Sequence, residues 1–178
     1  MEAARTAVAE VGVGVSAHEI ARRAGVGIGT FYRRIPSLEA LLEVVLEDLL
    51  DQISDAAGQA LEDPDPWHGL CAFATVYVRL RAESCGISEA LGGAFGNALA
   101  QRIEDLREGM RALVERAQAT GAVRTDLAWQ DVPFLFAAAT TRRTLGLDAN
   151  AQQWERNLRV ILDGLRPVPS GLSRGQPA

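Results

Sequence analysis

Apolar residues in this chain recur at intervals of three and four, the period of helices that bury one side. Ile20, Ala21 and Ala24 make the first narrow stripe, and Phe31 with Ile35 makes the next. Leu41, Leu42, Val45, Leu49 and Ile53 form a longer stripe, able to lie on the preceding helices and to continue into the second part of the chain. Further helices are predicted over 66–84, along Leu99, Ile103, Leu106, Met110, Leu113 and Ala117, over 131–145, and along Trp154, Leu158, Ile161, Leu162 and Leu165. The segment 131–145 is apolar on more than one side, through Phe134, Leu135, Phe136 and the three alanines that follow. The expected fold class is all-α, with about nine helices.

The residues between the stripes set the helix ends. Ser16 and Glu19 have capping-box spacing, in which the hydroxyl accepts from the N–H of Glu19 and the carboxylate reaches back to the N–H of Ser16. Gly25 supplies the left-handed position that ends a helix without steric cost, Val26 can fill the angle that follows, and Pro36 stops the next helix. Ser37 caps a fourth helix, and Asp65 with Pro66 starts a fifth. Gly92 and Gly93 make another break, Gly121 ends the long helix, and Asn150 with Gln153 is spaced to box the last. The division expected is an N-terminal unit of short helices over 1–53, a helical domain over 54–166 and a disordered polar tail over 167–178.

Residues 16–34 say most about function. A short capped helix, a glycine turn and a second short helix carrying arginines have the layout of a helix-turn-helix. Small residues at Gly25, Gly27 and Gly29 suit a helix whose backbone must come close to bases in a groove roughly 12 Å wide. Charge agrees locally. The 178-residue chain has 18 basic and 23 acidic residues and a net charge of -5, which argues against a general nucleic-acid binder. Yet Arg22, Arg23, Arg33 and Arg34 stand against Glu19 alone over 16–36, a local +3 that leaves -8 for the rest. An acidic body with one basic edge suits binding through a single face.

These residues resemble the TetR-type transcriptional regulators. The likeness rests on Ala9-Glu10-Val11-Gly12, on the run over 20–32 that opens Ile20-Ala21 and closes Gly29-Thr30-Phe31-Tyr32, and on Pro36-Ser37-Leu38-Glu39-Ala40-Leu41-Leu42. It spans about the first 50 residues, and the two closing segments at this spacing make it specific. The family pattern has a basic arm ahead of the alanine pair Ala3-Ala4, whereas here Arg5 is what remains of it and a short first helix is expected. The family also has lysine where Leu38 stands, and this chain contains no lysine.

The resemblance implies an all-helical homodimer whose C-terminal domain binds a small molecule and so switches its affinity for a double-stranded DNA operator. The recognition helices of such a dimer would sit roughly 34 to 36 Å apart, or a multiple of that, to read a palindrome. Gly27, Ile28, Thr30 and Tyr32 then face the groove and backbone, Arg33 and Arg34 pair with phosphates or guanine, and Ser16 and His18 meet phosphates. Arg22 and Arg23 fit a solvated helix face equally well. The last two helices are the candidate dimer interface. Phe73, Tyr77, Met110 and Phe136 are candidates to line the ligand cavity, although their helical spacing fits core packing as well. The regulator expected is a repressor released by its ligand. A second reading is a helical protein of the same descent that binds a small molecule or partner and no longer binds DNA.

Other classes find little support. Gly12-Val13-Gly14-Val15-Ser16-Ala17 matches a dinucleotide fingerprint, with Glu39 about twenty residues on, but that motif works between a strand and a helix. Residues 1–11 have helical patterning, so the glycines read as an interhelical loop. No nucleophile with a base, no ligands at metal spacing and no phosphate loop appear, so no catalytic residue, metal or cofactor is assigned. No apolar run of about 18 residues and no signal-like N-terminus are present, so a cytoplasmic protein with no membrane partner is expected. Cys71 and Cys85, four turns apart if they share one helix, read as free thiols.

Overall fold

The computed structural model describes residues 1–92 and 99–167. Among these residues the chain forms nine helices and one two-stranded hairpin: α1 (Glu2–Val11), α2 (Ala17–Arg23), α3 (Ile28–Arg34), α4 (Leu38–Glu62), α5 (Pro66–Glu83), α6 (Cys85–Leu91), α7 (Ala100–Ala119), α8 (Asp131–Ala139), β1 (Arg143–Thr144), β2 (Leu147–Asp148) and α9 (Gln153–Leu165). Gly93 and the tail beyond Pro167 lie outside the described residues.

The α4 helix is the spine. Leu41, Leu42, Val45, Leu46, Leu50, Ile53, Ala57 and Ala60 are buried along it, so its apolar face runs unbroken past residue 53. Its first half packs on α1, which buries Ala4, Ala7 and Val8, and its length lies against α5 and α7. Ser37 caps its start by accepting from the N–H of Ala40. At the other end Arg116 of α7 donates to the carbonyls of Ala60, Leu61 and Asp63, partners the last turn of a helix otherwise lacks. Asp65 then accepts from the N–H groups of Trp67 and His68, and Pro66 opens α5.

Several ends differ from the sequence pattern. The eighth helix stops at Ala139 instead of running to residue 145. The Thr140 hydroxyl donates to the carbonyl of Ala137, and Asn157 of α9 donates to that of Ala139, so side chains take over where the helix ladder ends. The chain then turns through β1 and β2, where Arg143 pairs with Asp148 and Thr144 with Leu147. Leu145 and Gly146 both have positive φ, 51° and 77°, as a tight two-residue hairpin requires. The box expected at Asn150 and Gln153 does not form. Asn150 accepts from the N–H of Gln152, while Gln153 bonds forward to Asn157. Cys71 and Cys85 sit on different helices, because Ser84 ends α5 and caps α6, and both are half-buried free thiols.

Candidate nucleic-acid interface

Ser16 accepts from the N–H of Glu19 and so fixes where α2 begins. The reciprocal half of the box is absent. Glu19 turns instead to Arg22, at 2.8 Å, and to Arg23, at 2.6 Å, and these two guanidinium groups bring its carboxyl down from 4.5 to about 2. Arg23 also pairs with Glu10 of α1 at 2.6 Å. The two arginines of α2 are thus balanced by two carboxylates and brace α2 against α1. Their spacing from Glu19, three and four residues, was the signal for this pairing in the sequence.

The turn into α3 is a Schellman motif. The N–H of Val26 bonds the carbonyl of Ala21 and that of Gly25 bonds the carbonyl of Arg22, with Gly25 at φ 67°. Val26 remains exposed and does not fill the angle. Phe31 is 6% exposed and anchors α3 in the core, whereas its neighbour Tyr32 is 52% exposed and meets the Phe31 ring edge-on at 5.2 Å. A Cβ added to Gly27 or Gly29 would meet no atom within 4 Å, so the start of α3 presents bare backbone to solvent. Arg33 and Arg34 are exposed in its last turn and, among the described residues, join none of the ion pairs that hold Arg22 and Arg23. Of the other predicted DNA contacts, Ser16, His18 and Gly27 are exposed, and Ile28 and Thr30 are half-buried, with Ile28 packed against the core. The eight residues therefore share one neighbourhood at the start of α2 and along α3. The Gly12–Ser16 stretch joins two helices, so the context of a dinucleotide fingerprint is missing.

A cavity of about 430 Å³ opens among α5, α6, α7 and α8. Tyr77 and Met110 are on its wall, with Arg81, Ile103, Leu106, Trp129 and Phe134. Phe73 and Phe136 do not reach it. Both are fully buried and continue the aromatic packing of Tyr77, at ring distances of 5.8 and 6.0 Å. Burial raises the Tyr77 hydroxyl above the usual phenol range, so it stays protonated. A second, polar recess of about 380 Å³ lies under the hairpin, between Arg142, Asp148, Asn150 and Trp154. Among the described residues no cluster of three or more His, Cys, Asp and Glu could hold a metal ion, and no helix is long and apolar enough to cross a membrane.

The α6 helix touches both regions. Leu91 and Gly92, at its C-terminal end, line the cavity. Gly86 lies against Val8 so closely that a Cβ there would meet Val8 Cγ1 at 2.2 Å. Glu89 accepts from the N–H of Val13 at 2.7 Å, in the loop that leads into α2.

Two family models cover most of the chain. Residues 1–45 match bacterial regulatory proteins of the tetR family, and residues 65–167 match the C-terminal domain of SbtR-like transcriptional regulators. The chain belongs to the TetR family. As a TetR-family transcriptional regulator it is a DNA-binding protein and not an enzyme. Solved structures of the family agree over nearly the whole length. A TetR transcriptional regulator from Streptomyces coelicolor, SCO0520, is 29% identical with a TM-score of 0.67, covering 94% of this chain and 97% of its own. A TetR regulatory protein from Mycobacterium vanbaalenii is 34% identical with a TM-score of 0.62, covering 93% and 92%. RolR in complex with resorcinol is 26% identical with a TM-score of 0.54, covering 99% and 92%. No curated protein matches this TetR-family chain.

Proposed function

We propose that this regulator is a repressor which holds a palindromic operator as a homodimer and releases it when a small molecule fills the cavity among α5, α6, α7 and α8. The observation that carries the reading is the position of α6. Its C-terminal end borders the cavity, while Gly86 and Glu89 are seated on α1 and on the loop before α2. A molecule that shifts α6 must therefore disturb the base of the helix-turn-helix. A coupling of about 1 to 3 kcal/mol between the two sites would weaken DNA binding some five- to 150-fold. The resorcinol complex of RolR supports a small organic molecule as the occupant.

On DNA, α3 enters the major groove with Gly27, Ile28, Thr30 and Tyr32 toward the bases and backbone. Arg33 and Arg34 take phosphates or guanine, and Ser16 and His18 take phosphates at the start of α2. Dimerisation uses α8 and α9, where Phe134 is 78% and Val160 71% exposed. The protein acts in the cytoplasm, with its operator.

The test is fluorescence anisotropy on a duplex taken from upstream of its own coding sequence, at several salt concentrations. A repressor gives a steep log–log fall in affinity, close to one unit per neutralised phosphate. A flat response at micromolar or weaker affinity would instead favour a helical small-molecule binder that no longer holds DNA. That reading draws on one observation: Arg5, the basic residue of α1, is occupied by Asp48 at 2.5 Å.

A further inference from the structure

We propose that the cavity selects a small carboxylate with an apolar body, and that Arg81 is the residue that reads the carboxylate. The inference rests on the ligand-responsive reading above and names the chemical class of the ligand. Arg81 lines the cavity from α5, with its guanidinium 5.8 Å from the ring of Tyr77. Its Nη2 donates to the hydroxyl of Ser88 on α6 at 3.2 Å, and the guanidinium also bears on the Tyr77 hydroxyl, so neutral groups alone face it among the described residues. Its Nε is buried and has no acceptor among the described residues. A guanidinium has five N–H donors and no neutral form in a protein, so one that lines a cavity without a carboxylate partner keeps its charge, and the donors of its fork, for an incoming anion.

The chain offers no carboxylate of its own to do so. No Asp or Glu lines the cavity. None occurs in residues 93–98 or 168–178 either. Arg107, the other cation on the wall, is exposed and held by Glu104 at 2.9 Å. Apart from Tyr77 and the neutral amide of Gln130 the rest of the wall is apolar, with Ile103, Leu106, Met110, Trp129 and Phe134 around a volume ordinary for a small-molecule site. One uncompensated planar cation in an apolar chamber matches one planar anion on an apolar body, because a carboxylate can accept two N–H groups of the guanidinium fork side by side. A cationic ligand would meet like charge on two sides, and a neutral one could accept a hydrogen bond from Arg81 but would leave its charge uncompensated. Ser88 and Glu89 are adjacent on α6, so a carboxylate that takes Arg81 from Ser88 acts one residue from the contact with Val13.

The experiment is calorimetric titration of the full chain with benzoate, phenylacetate and octanoate, each paired with its neutral amide. The acids are expected to bind about tenfold or more tightly than their amides, the range a hydrogen bond to a charged group supplies. Arg81→Gln should bring each ratio close to one while leaving amide binding unchanged, and Arg107→Gln should preserve the ratio. Ser88→Ala, which leaves the cavity charge in place, should retain or improve acid binding, and far-ultraviolet circular dichroism checks that every variant is folded. Amides that bind as well as acids, a ratio untouched by Arg81→Gln, or no acid binding at all would each overturn the assignment. Adding the upstream duplex separates the two readings. Acid selectivity without release of DNA supports the site and sinks ligand-triggered release, whereas release by the amides alone sinks the site and leaves release standing.

Discussion

Phe31 and Tyr32 are neighbours with opposite duties, one in the core and one in solvent, so substitution can separate folding from DNA contact. Tyr32→Ala is expected to abolish operator binding in the anisotropy assay while leaving the melting temperature within a degree or two, as exposed substitutions usually do. Phe31→Ala should instead cost about 3 to 5 kcal/mol in urea unfolding. Glu19 gives a pH signature. Its carboxyl is held at about 2 in the folded chain against 4.5 unpaired, so its ion pairs stabilise the fold above about pH 4.5 and are lost as pH falls toward 2. Melting curves from pH 6 to 3 should show a shallower loss of stability in Glu19→Gln than in the parent. At this scale the sequence was informative where a residue acts on its own backbone, as Ser16, Ser37, Asp65 and Gly25 do. It was less so where a side chain had a choice of partners. Glu19 had a backbone N–H and two arginines within reach, and the charges prevailed. Phe73 and Tyr77 share a helix and a stripe, yet only the three-dimensional packing put Tyr77 on the cavity wall and closed Phe73 off.

The longer helices followed from apolar period, but the seven-residue α6 did not, and helix ends did not always follow from composition. The run from Phe134 to Ala139 has a strong helical signal, and of its last carbonyls one is taken by Thr140 and another by Asn157, eighteen residues further on. A partner so distant in sequence leaves no local mark. The hairpin that follows is also unusual, since Leu145 occupies a left-handed position and is 95% exposed among the described residues. Asparagine tolerates that conformation better and is favoured beside glycine in such turns. Leu145→Asn should therefore raise the melting temperature of the isolated chain by a few degrees, corresponding to about 0.5 to 1 kcal/mol. A lower melting temperature would mean that the leucine has a partner which the single chain does not supply. Arg81 escaped the sequence reading for a related reason. On a helix of mixed character an arginine reads as solvated, and only the fold reveals that Nε has been cut off from water.

For the whole molecule, the sequence conveyed the all-α class and an N-terminal helix-turn-helix followed by a helical domain, but neither α6 nor the hairpin. The cavity needed four helices to meet, and no single stripe encodes it. The +3 counted over residues 16–36 also changes meaning once Glu10 is seen to reach Arg23 from another helix. The basic edge narrows to Arg33 and Arg34, so the salt slope for each protomer should be set largely by these two, and Arg33→Gln with Arg34→Gln should flatten it by about two units. Val160→Glu, on the open face of α9 and away from the cavity, is expected to shift sedimentation toward the monomer and to weaken operator binding together with it.

Arg116 has a consequence for how a regulator of this shape moves. By gripping the carbonyls of Ala60, Leu61 and Asp63 it clamps one tip of a 25-residue rod to α7. The opposite tip carries α3 and lies roughly 37 Å away at 1.5 Å per residue. A tilt of only about 5° about that end would displace the far tip by about 3 Å, roughly the rise of one base pair. Cutting the clamp with Arg116→Ala would therefore loosen the lever itself, blunting the response to ligand even with cavity and reading head intact.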